Sequence, residues 1–192
     1  YTGFSDADGN DDASRFEWLL NGISVGTTST MSEPVVGGDV VECLVTPNDG
    51  VEDGGLMSES FTVGNTPPIL TDVSLGPSPA HEATTLTCSA ESSTDVDGDT
   101  VTYSYAWRVN GGVIAATTDT LTGSDFDKGD EVFCIVTPND GTEDGVSVSP
   151  DSVTILNTSP TISGVVIDPS PATVVDTLTC SWTDFSDDDD DS

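Results

Sequence analysis

The hexapeptide V-T-P-N-D-G at Val45–Gly50 returns unchanged at Val136–Gly141, 136 − 45 = 91 residues later. T-L-T-C at Thr85–Cys88 returns at Thr177–Cys180, 177 − 85 = 92 residues on. N-T-P-P at Asn65–Pro68 comes back as N-T-S-P at Asn157–Pro160, again 157 − 65 = 92. Trp18 and Trp107 lie 107 − 18 = 89 apart, so the first copy is slightly shorter after its Trp. A fixed period of this length excludes one continuous core over 192 residues and requires modules in tandem. The period divides the chain into the back part of one module, 1–66, a complete module, 67–156, and the opening of a third, 157–192. The boundaries fall at Thr66-Pro67-Pro68 and Ser159-Pro160, where proline favours an extended, semi-rigid connection.

The complete module reads as short alternating strands bounded by turn residues, with no helical period. The pattern predicts strand A at 69–75, B at 84–90, C at 101–109, weak strands at 113–116 and 118–122, F at 131–137 and G at 146–156. Asn110-Gly111 is a strong hairpin signal, and Pro150 places strand G at an edge or a bulge. Leu86, Cys88 and Ala90 share one face of B; Val132, Cys134 and Val136 share one face of F. Between them strand C carries Tyr103, Tyr105 and Trp107. Cys on B, Trp on C and Cys on F is the core pattern of an immunoglobulin-like sandwich, and about 90 residues is its size. The expected fold is therefore all-β, in tandem immunoglobulin-like β-sandwich repeats.

That pattern pairs Cys88 with Cys134, 134 − 88 = 46 residues apart; closing such a loop contributes roughly 4 kcal/mol in the chain-entropy model. Two buried free thiols are the alternative. A persistent disulfide implies an oxidising setting, so the expected location is extracellular, at a cell surface or secreted. Cys43 falls on strand F of the first module and Cys180 on strand B of the third. Their partners are expected before residue 1 and after residue 192, the chain being a window on a longer array. Alternatively, the two ends complement one another head to tail between subunits, although Tyr1–Asn10 and Trp182–Asp191 both correspond to residues 90–99.

Thirty-five acidic residues face three basic ones, Arg15, Arg108 and Lys128, for a formal charge of −32. Nucleic acid, which needs Lys and Arg to displace phosphate counterions, is excluded as a partner. An anionic membrane surface is disfavoured likewise, and no apolar run is long enough to insert in a bilayer. The acid concentrates in short loops. In the complete module the B–C loop carries Asp95, Asp97 and Asp99, and the F–G loop carries Asn139, Asp140, Glu143 and Asp144. These loops leave an immunoglobulin-like sandwich at the same end. Two carboxylates about 5 Å apart repel by about 3 kcal/mol at an effective dielectric near 20, and a divalent cation removes that cost.

Calcium, which takes six to eight oxygens, is the expected cofactor; zinc or copper would want thiolate or imidazole, and His81 is the single histidine. The first module offers the corresponding Asp6, Asp8, Asn10, Asn48, Asp49, Glu52 and Asp53. The third offers Asp187, Asp189 and Asp191. Asn65, in the linker, is a further candidate. A solvated turn rich in Asp and Gly is the alternative reading of each loop. D-x-D-G-D lacks the sixth-position Gly, twelfth-position Glu and flanking helices of an EF-hand.

S-T-D-V-D-G-D-x-x-x-Y-x-Y-x-W-x-x-N-G, with the Cys pair and the N-T-P-P linkers, resembles the tandem immunoglobulin-like, PKD-like and cadherin-like repeats of bacterial and archaeal surface proteins. It departs from PKD domains in lacking W-D-F-G-D-G, since Arg108-Val109-Asn110-Gly111 follows Trp107. The linkers lack the full acidic signature of cadherins. The resemblance implies a spacer, adhesin or fibre-forming module, often with bound calcium. No catalytic triad can be assembled around one histidine, and acidic pairs repeated in every module are unlike a single glycosidase site; no enzymatic activity is expected. The reading is a structural segment of an extracellular fibre, stalk or filament, with neighbouring copies or further repeats as partners. An adhesive or carbohydrate-binding accessory module is the alternative. Tyr103, Tyr105 and Trp107 could stack on a sugar, but same-face aromatics on strand C fit core better.

Overall fold

The computed structural model describes residues 3–189, which form strands and loops with no helix; none of those residues belongs to a helix long and apolar enough to cross a membrane. The chain separates into two compact units. One comprises 1–67 together with 95–100 and 140–143, and the other the remainder.

The first unit is built on a single four-stranded antiparallel sheet. Its strands are β1 (Arg15–Leu20), β2 (Ile23–Gly26), β3 (Val40–Thr46) and β4 (Met57–Thr62), in the order β2-β1-β3-β4. Asn21 and Gly22, with φ of 52° and 79°, make the tight turn between β1 and β2. Positive φ at both central residues matches the twist of the flanking strands, which is why Asn-Gly serves there. The Asn21 side chain then ties the hairpin to β3: its Nδ2 donates to Asp39 Oδ1 (2.9 Å), and its Oδ1 accepts from Val40 N (3.0 Å). Trp18 stands opposite Cys43 in the ladder, and its indole N–H donates to Thr28 O (3.0 Å).

The second unit contains two sheets that share one core, consistent with a β-sandwich. Strands β5 (Ile69–Gly76), β7 (Leu86–Thr94) and β10 (Thr120–Leu121) form one sheet, in the order β10-β7-β5. The other holds β6 (Ala80–His81), β8 (Thr102–Val109), β9 (Gly112–Ile114), β11 (Glu131–Asn139) and β12 (Val153–Leu156), in the order β6-β12-β11-β8-β9. Leu86, Trp107, Leu121, Val132, Val136 and Ile155 are buried between the sheets. Each apolar side chain of this kind stabilises the fold by about 1.5–3 kcal/mol relative to an exposed position. The Cys88–Cys134 disulfide joins β7 of one sheet to β11 of the other across that core. Trp107 is opposite Cys134, and its N–H donates to Thr118 O (2.8 Å), the same geometry as Trp18 with Thr28. Tyr103 and Tyr105 are partly buried and pack against the core. Asn110-Gly111 repeats the Asn21-Gly22 turn, φ 50° and 80°, with Asn110 bonded to Asp130 and Glu131.

The strand expected over 146–156 is broken. Only Val153–Leu156 is laddered, and Val148 makes an isolated bridge to Val136. Pro150 has no N–H to give the sheet, and the Ser149 hydroxyl donates to Cys134 O instead (2.7 Å). Strand B runs on to Thr94 rather than ending at Ala90.

Strands β13 (Gly164–Asp168) and β14 (Thr179–Thr183) complete the second unit as an antiparallel hairpin. Cys43 and Cys180 are free thiols, the first partly buried and the second exposed.

Candidate metal site in the acidic loops

The B–C loop closes on its own aspartate. Asp95 Oδ1 accepts from Asp97 N (2.8 Å) and Asp99 N (3.2 Å), and Gly98 turns the chain at φ 84°. Asp95 Oδ2 is buried and has no hydrogen-bond partner. Asp97 is turned to other work. Its Oδ1 accepts from Gly37 N (2.6 Å) and its Oδ2 from Thr66 N (2.7 Å). The loop therefore grips the backbone just ahead of β5.

Asp140 does the same from the F–G loop. It is buried, its Oδ1 accepts from Thr142 N and Glu143 N (both 2.7 Å), and its Oδ2 accepts from the side chain of Asn65 (2.8 Å). The Asn65 bond, followed by those two N–H groups, holds the Asp140 carboxyl below the usual carboxylate range. Asn139 and Asp144 bond to each other across an isolated bridge, Nδ2 to Oδ1 at 2.8 Å. Asp99 and Glu143 have exposed side chains.

The N-terminal set repeats these arrangements. Asp6 Oδ1 accepts from Asp8 N (2.6 Å) and Asn10 N (3.4 Å). Asp49 Oδ1 accepts from Val51 N and Glu52 N (both 2.8 Å), and its Oδ2 from Asn10 Nδ2 (3.5 Å). The Glu52 and then the Val51 N–H lower the Asp49 pKa. Asp53 accepts from Asn48 (2.8 Å) and forms an ion pair with Arg15 (2.6 Å); both lower its pKa, Asn48 first. Asp6, Asn48, Asp49, Glu52 and Asp53 line one open cavity.

At the C-terminal end, Asp187 Oδ1 accepts from Asp189 N (3.1 Å), and buried Asp189 accepts from Thr158 N through Oδ2. Asp189 Oδ1 is buried without a partner. Asp191 lies outside the described residues.

The loops thus use much of their carboxylate capacity on N–H donors. Among the described residues no three or more His, Cys, Asp or Glu side chains are grouped so as to hold a metal ion by themselves. The two orphaned oxygens, Asp95 Oδ2 and Asp189 Oδ1, are the donors left over for a hard cation. A buried anionic oxygen without a partner is costly, and calcium accepts backbone carbonyls and waters beside a few carboxylates. Sequence reasoning missed Gly37, Thr66 and Thr158, which act through backbone N–H groups and carry no side-chain signal. Gly37 was detectable only as the first glycine of Gly37-Gly38. No family model matches this chain, and no curated protein matches it either.

Proposed function

We propose that the chain is a structural segment of an extracellular fibre, stalk or filament, made of tandem immunoglobulin-like β-sandwiches of about 90 residues. The carrying observation is the repeated grip of an acidic loop on the backbone that precedes its own first strand. Thr66 N donates to Asp97 and Thr158 N to Asp189, with 158 − 66 = 92 and 189 − 97 = 92. A load-bearing or spacing array needs every joint made alike, whereas a binding module needs a surface that differs from its neighbours. The single oxidised pair, Cys88–Cys134, is in keeping with an extracytoplasmic location.

Calcium is the cation of this reading. It supplies positive charge where protein donors leave a carboxylate oxygen unmatched, with Asp95 holding it through Oδ2 and the exposed Asp99 and Glu143 as further donors. The chain's own residues do the rest: Asp95 shapes the loop through two N–H groups, and Asp97 and Asp140 fasten Gly37, Asn65 and Thr66. Thermal melts of the whole chain test this. Calcium is expected to raise the melting temperature and a chelator to lower it, with Asp95→Asn losing the calcium increment. Identical melts in calcium and chelator would remove calcium from the proposal. Electron microscopy of native material without continuous fibres would remove the filament.

A further inference from the structure

The hold of Asp189 on Thr158 matches that of Asp97 on Thr66, with one oxygen left over. Asp97 Oδ2 accepts from Thr66 N (2.7 Å) and its Oδ1 from Gly37 N (2.6 Å). Asp189 Oδ2 accepts from Thr158 N, but its Oδ1 has no partner, although the side chain is only 7% exposed. The residue in the place of Gly37 is Lys128, 128 − 37 = 91 residues on. The turns around the two agree. Asp39 Oδ2 accepts from Val36 N (2.9 Å) as Asp130 Oδ2 accepts from Asp127 N (2.8 Å), and Gly38 N donates to Val63 O (3.0 Å) as Gly129 N donates to Ile155 O (2.8 Å). Lys128 N, however, donates to Glu82 Oε1 (2.7 Å). The Asp189 oxygen is therefore unmatched while the counterpart of its donor is in place, because another carboxylate has taken that N–H.

Lysine in place of glycine brings a different donor to the same position. Lys128 is the one lysine of a chain whose charge is −32. Its Nζ lies 3.4 Å from the Oδ1 of Asn157, the residue immediately before Thr158. The two arginines are engaged elsewhere, Arg15 with Asp53 and Arg108 with the Gly111 carbonyl. A buried anionic oxygen without a partner is costly. Lysine answers such a group with a compact charge on a flexible stem that carries several N–H donors.

We propose that the Lys128 ammonium is the tethered cation of the Asp189 carboxylate. It swings from Asn157 Oδ1 to Asp189 Oδ1 and neutralises the group that holds Thr158. At the matching oxygen of Asp97 the same position of the repeat supplies a backbone N–H; at Asp189 it supplies a side-chain charge. Hydrogen bonds between charged groups are shorter and stronger than neutral ones, so Asp189 stays fixed on the Thr158 amide without a metal ion. The inference goes beyond the reading of the chain as an array of like sandwiches. It depends neither on native fibres nor on calcium, which that reading places at Asp95.

The test is hydrogen exchange on the whole chain in chelator, read at the Thr158 amide. The unaltered chain is expected to protect that amide. Lys128→Met keeps an apolar stem and removes the charge, and should speed exchange there by about tenfold or more; Lys128→Arg should keep the protection. The amide of residue 128, held by Glu82, should stay protected in each variant and so report that the turn remains folded. Thr66, held by Asp97, should not change. In the Asp189→Asn background no charge remains to be matched, so Lys128→Met should add nothing further. Unchanged Thr158 exchange in Lys128→Met, equal loss in Lys128→Arg, or the same loss in the Asp189→Asn background would each overturn the proposal. An unaltered chain that protects Thr158 only when calcium is added would overturn it too, and would give the oxygen to the metal. Failure here leaves the calcium melts and the fibre images as they stand, so the two readings fail separately.

Discussion

The β5–β7 and β13–β14 hairpins differ in coverage, not in pairing. Both place the Thr-Cys that closes the T-L-T-C stretch in the second strand, and both pair it with positions 92 residues apart. Yet Leu86 and Cys88 lie in a closed core, while Leu178 and Cys180 face outward. Local sequence is enough to set the strand register, because alternation and turn position decide which residues oppose each other. Burial is a property of the opposite sheet. The same holds for the larger sheets: Trp107 is fully buried and Trp18 only partly so, though each bonds its indole N–H to a carbonyl ten or eleven residues on.

Matched truncations would break this comparison most sharply. Leu86→Ala removes a fully buried side chain and is expected to cost about 3 kcal/mol, within the usual range for Leu to Ala in a core. Leu178→Ala, 92 positions on, is expected to change stability by no more than about 0.5 kcal/mol on a dilute, monomeric chain, as for other exposed positions. Urea unfolding followed by circular dichroism measures both. Equal losses would mean that the C-terminal hairpin is covered within the same molecule, and the contrast drawn above would fail.

The acidic loops offer a second comparison with a smaller effect. A Cβ on Gly37 would lie 2.7 Å from Asp97 Oδ2 and 3.1 Å from the Asn65 Cα, with Asp97 Cγ at 2.9 Å. Asp97 must then move off the N–H groups of Gly37 and Thr66, which it now holds. Hydrogen bonds to a charged group contribute about 1.5–3 kcal/mol, and partial retention puts the loss for Gly37→Ala at about 1–2 kcal/mol. Hydrogen exchange is the readout: the Thr66 amide should lose protection while Thr158, held by Asp189, keeps it. Loss at both amides would show that the grip is not local.

Much of this was legible in the chain itself. The pattern placed strands A, B, C and F within a few residues but not β6 at Ala80–His81 or the short extent of the last strand, and Cys88, Trp107 and Cys134 named the centre of the core. Pro150 marked the weak point of the last strand, though not the hydroxyl of Ser149 that replaces the missing ladder bond. The loops were legible as acidic and paired, but not in their division of labour. Asp95, Asp6 and Asp187 turn inward to shape their loops, whereas Asp97, Asp140 and Asp189 reach residues far away in sequence. Alternating Asp looks the same in both roles, because the partners are backbone N–H groups that every residue but proline carries. Asn65 was recognisable only because an amide beside a proline linker is a plausible oxygen donor; in the structure it donates N–H instead.

The smallest expected effect concerns acid. Asn65, then the N–H groups of Glu143 and Thr142, stabilise the charged form of Asp140 and lower its pKa. A carboxyl whose folded pKa is depressed contributes stability that is fully present above its unfolded value, near 3.9. That contribution disappears as pH falls through the lower, folded value, because the unfolded chain binds the proton first. Asp140→Asn removes this linkage. Its Oδ1 can still accept from Thr142 and Glu143, and Asn65 can rotate its amide to present oxygen instead of nitrogen, so stability at neutral pH should change little. The stability-against-pH curve below about pH 4 should become shallower. Asp49→Asn sharpens the comparison, since the Asp49 pKa is lowered mainly by the backbone N–H groups of Glu52 and Val51 rather than by a side chain from another segment. Acid titrations of the two variants, followed by hydrogen exchange at Glu143 and Val51, should show acid sensitivity lost at different amides. Identical acid profiles for Asp140→Asn and the unaltered chain would mean that Asn65 does not grip the charged form.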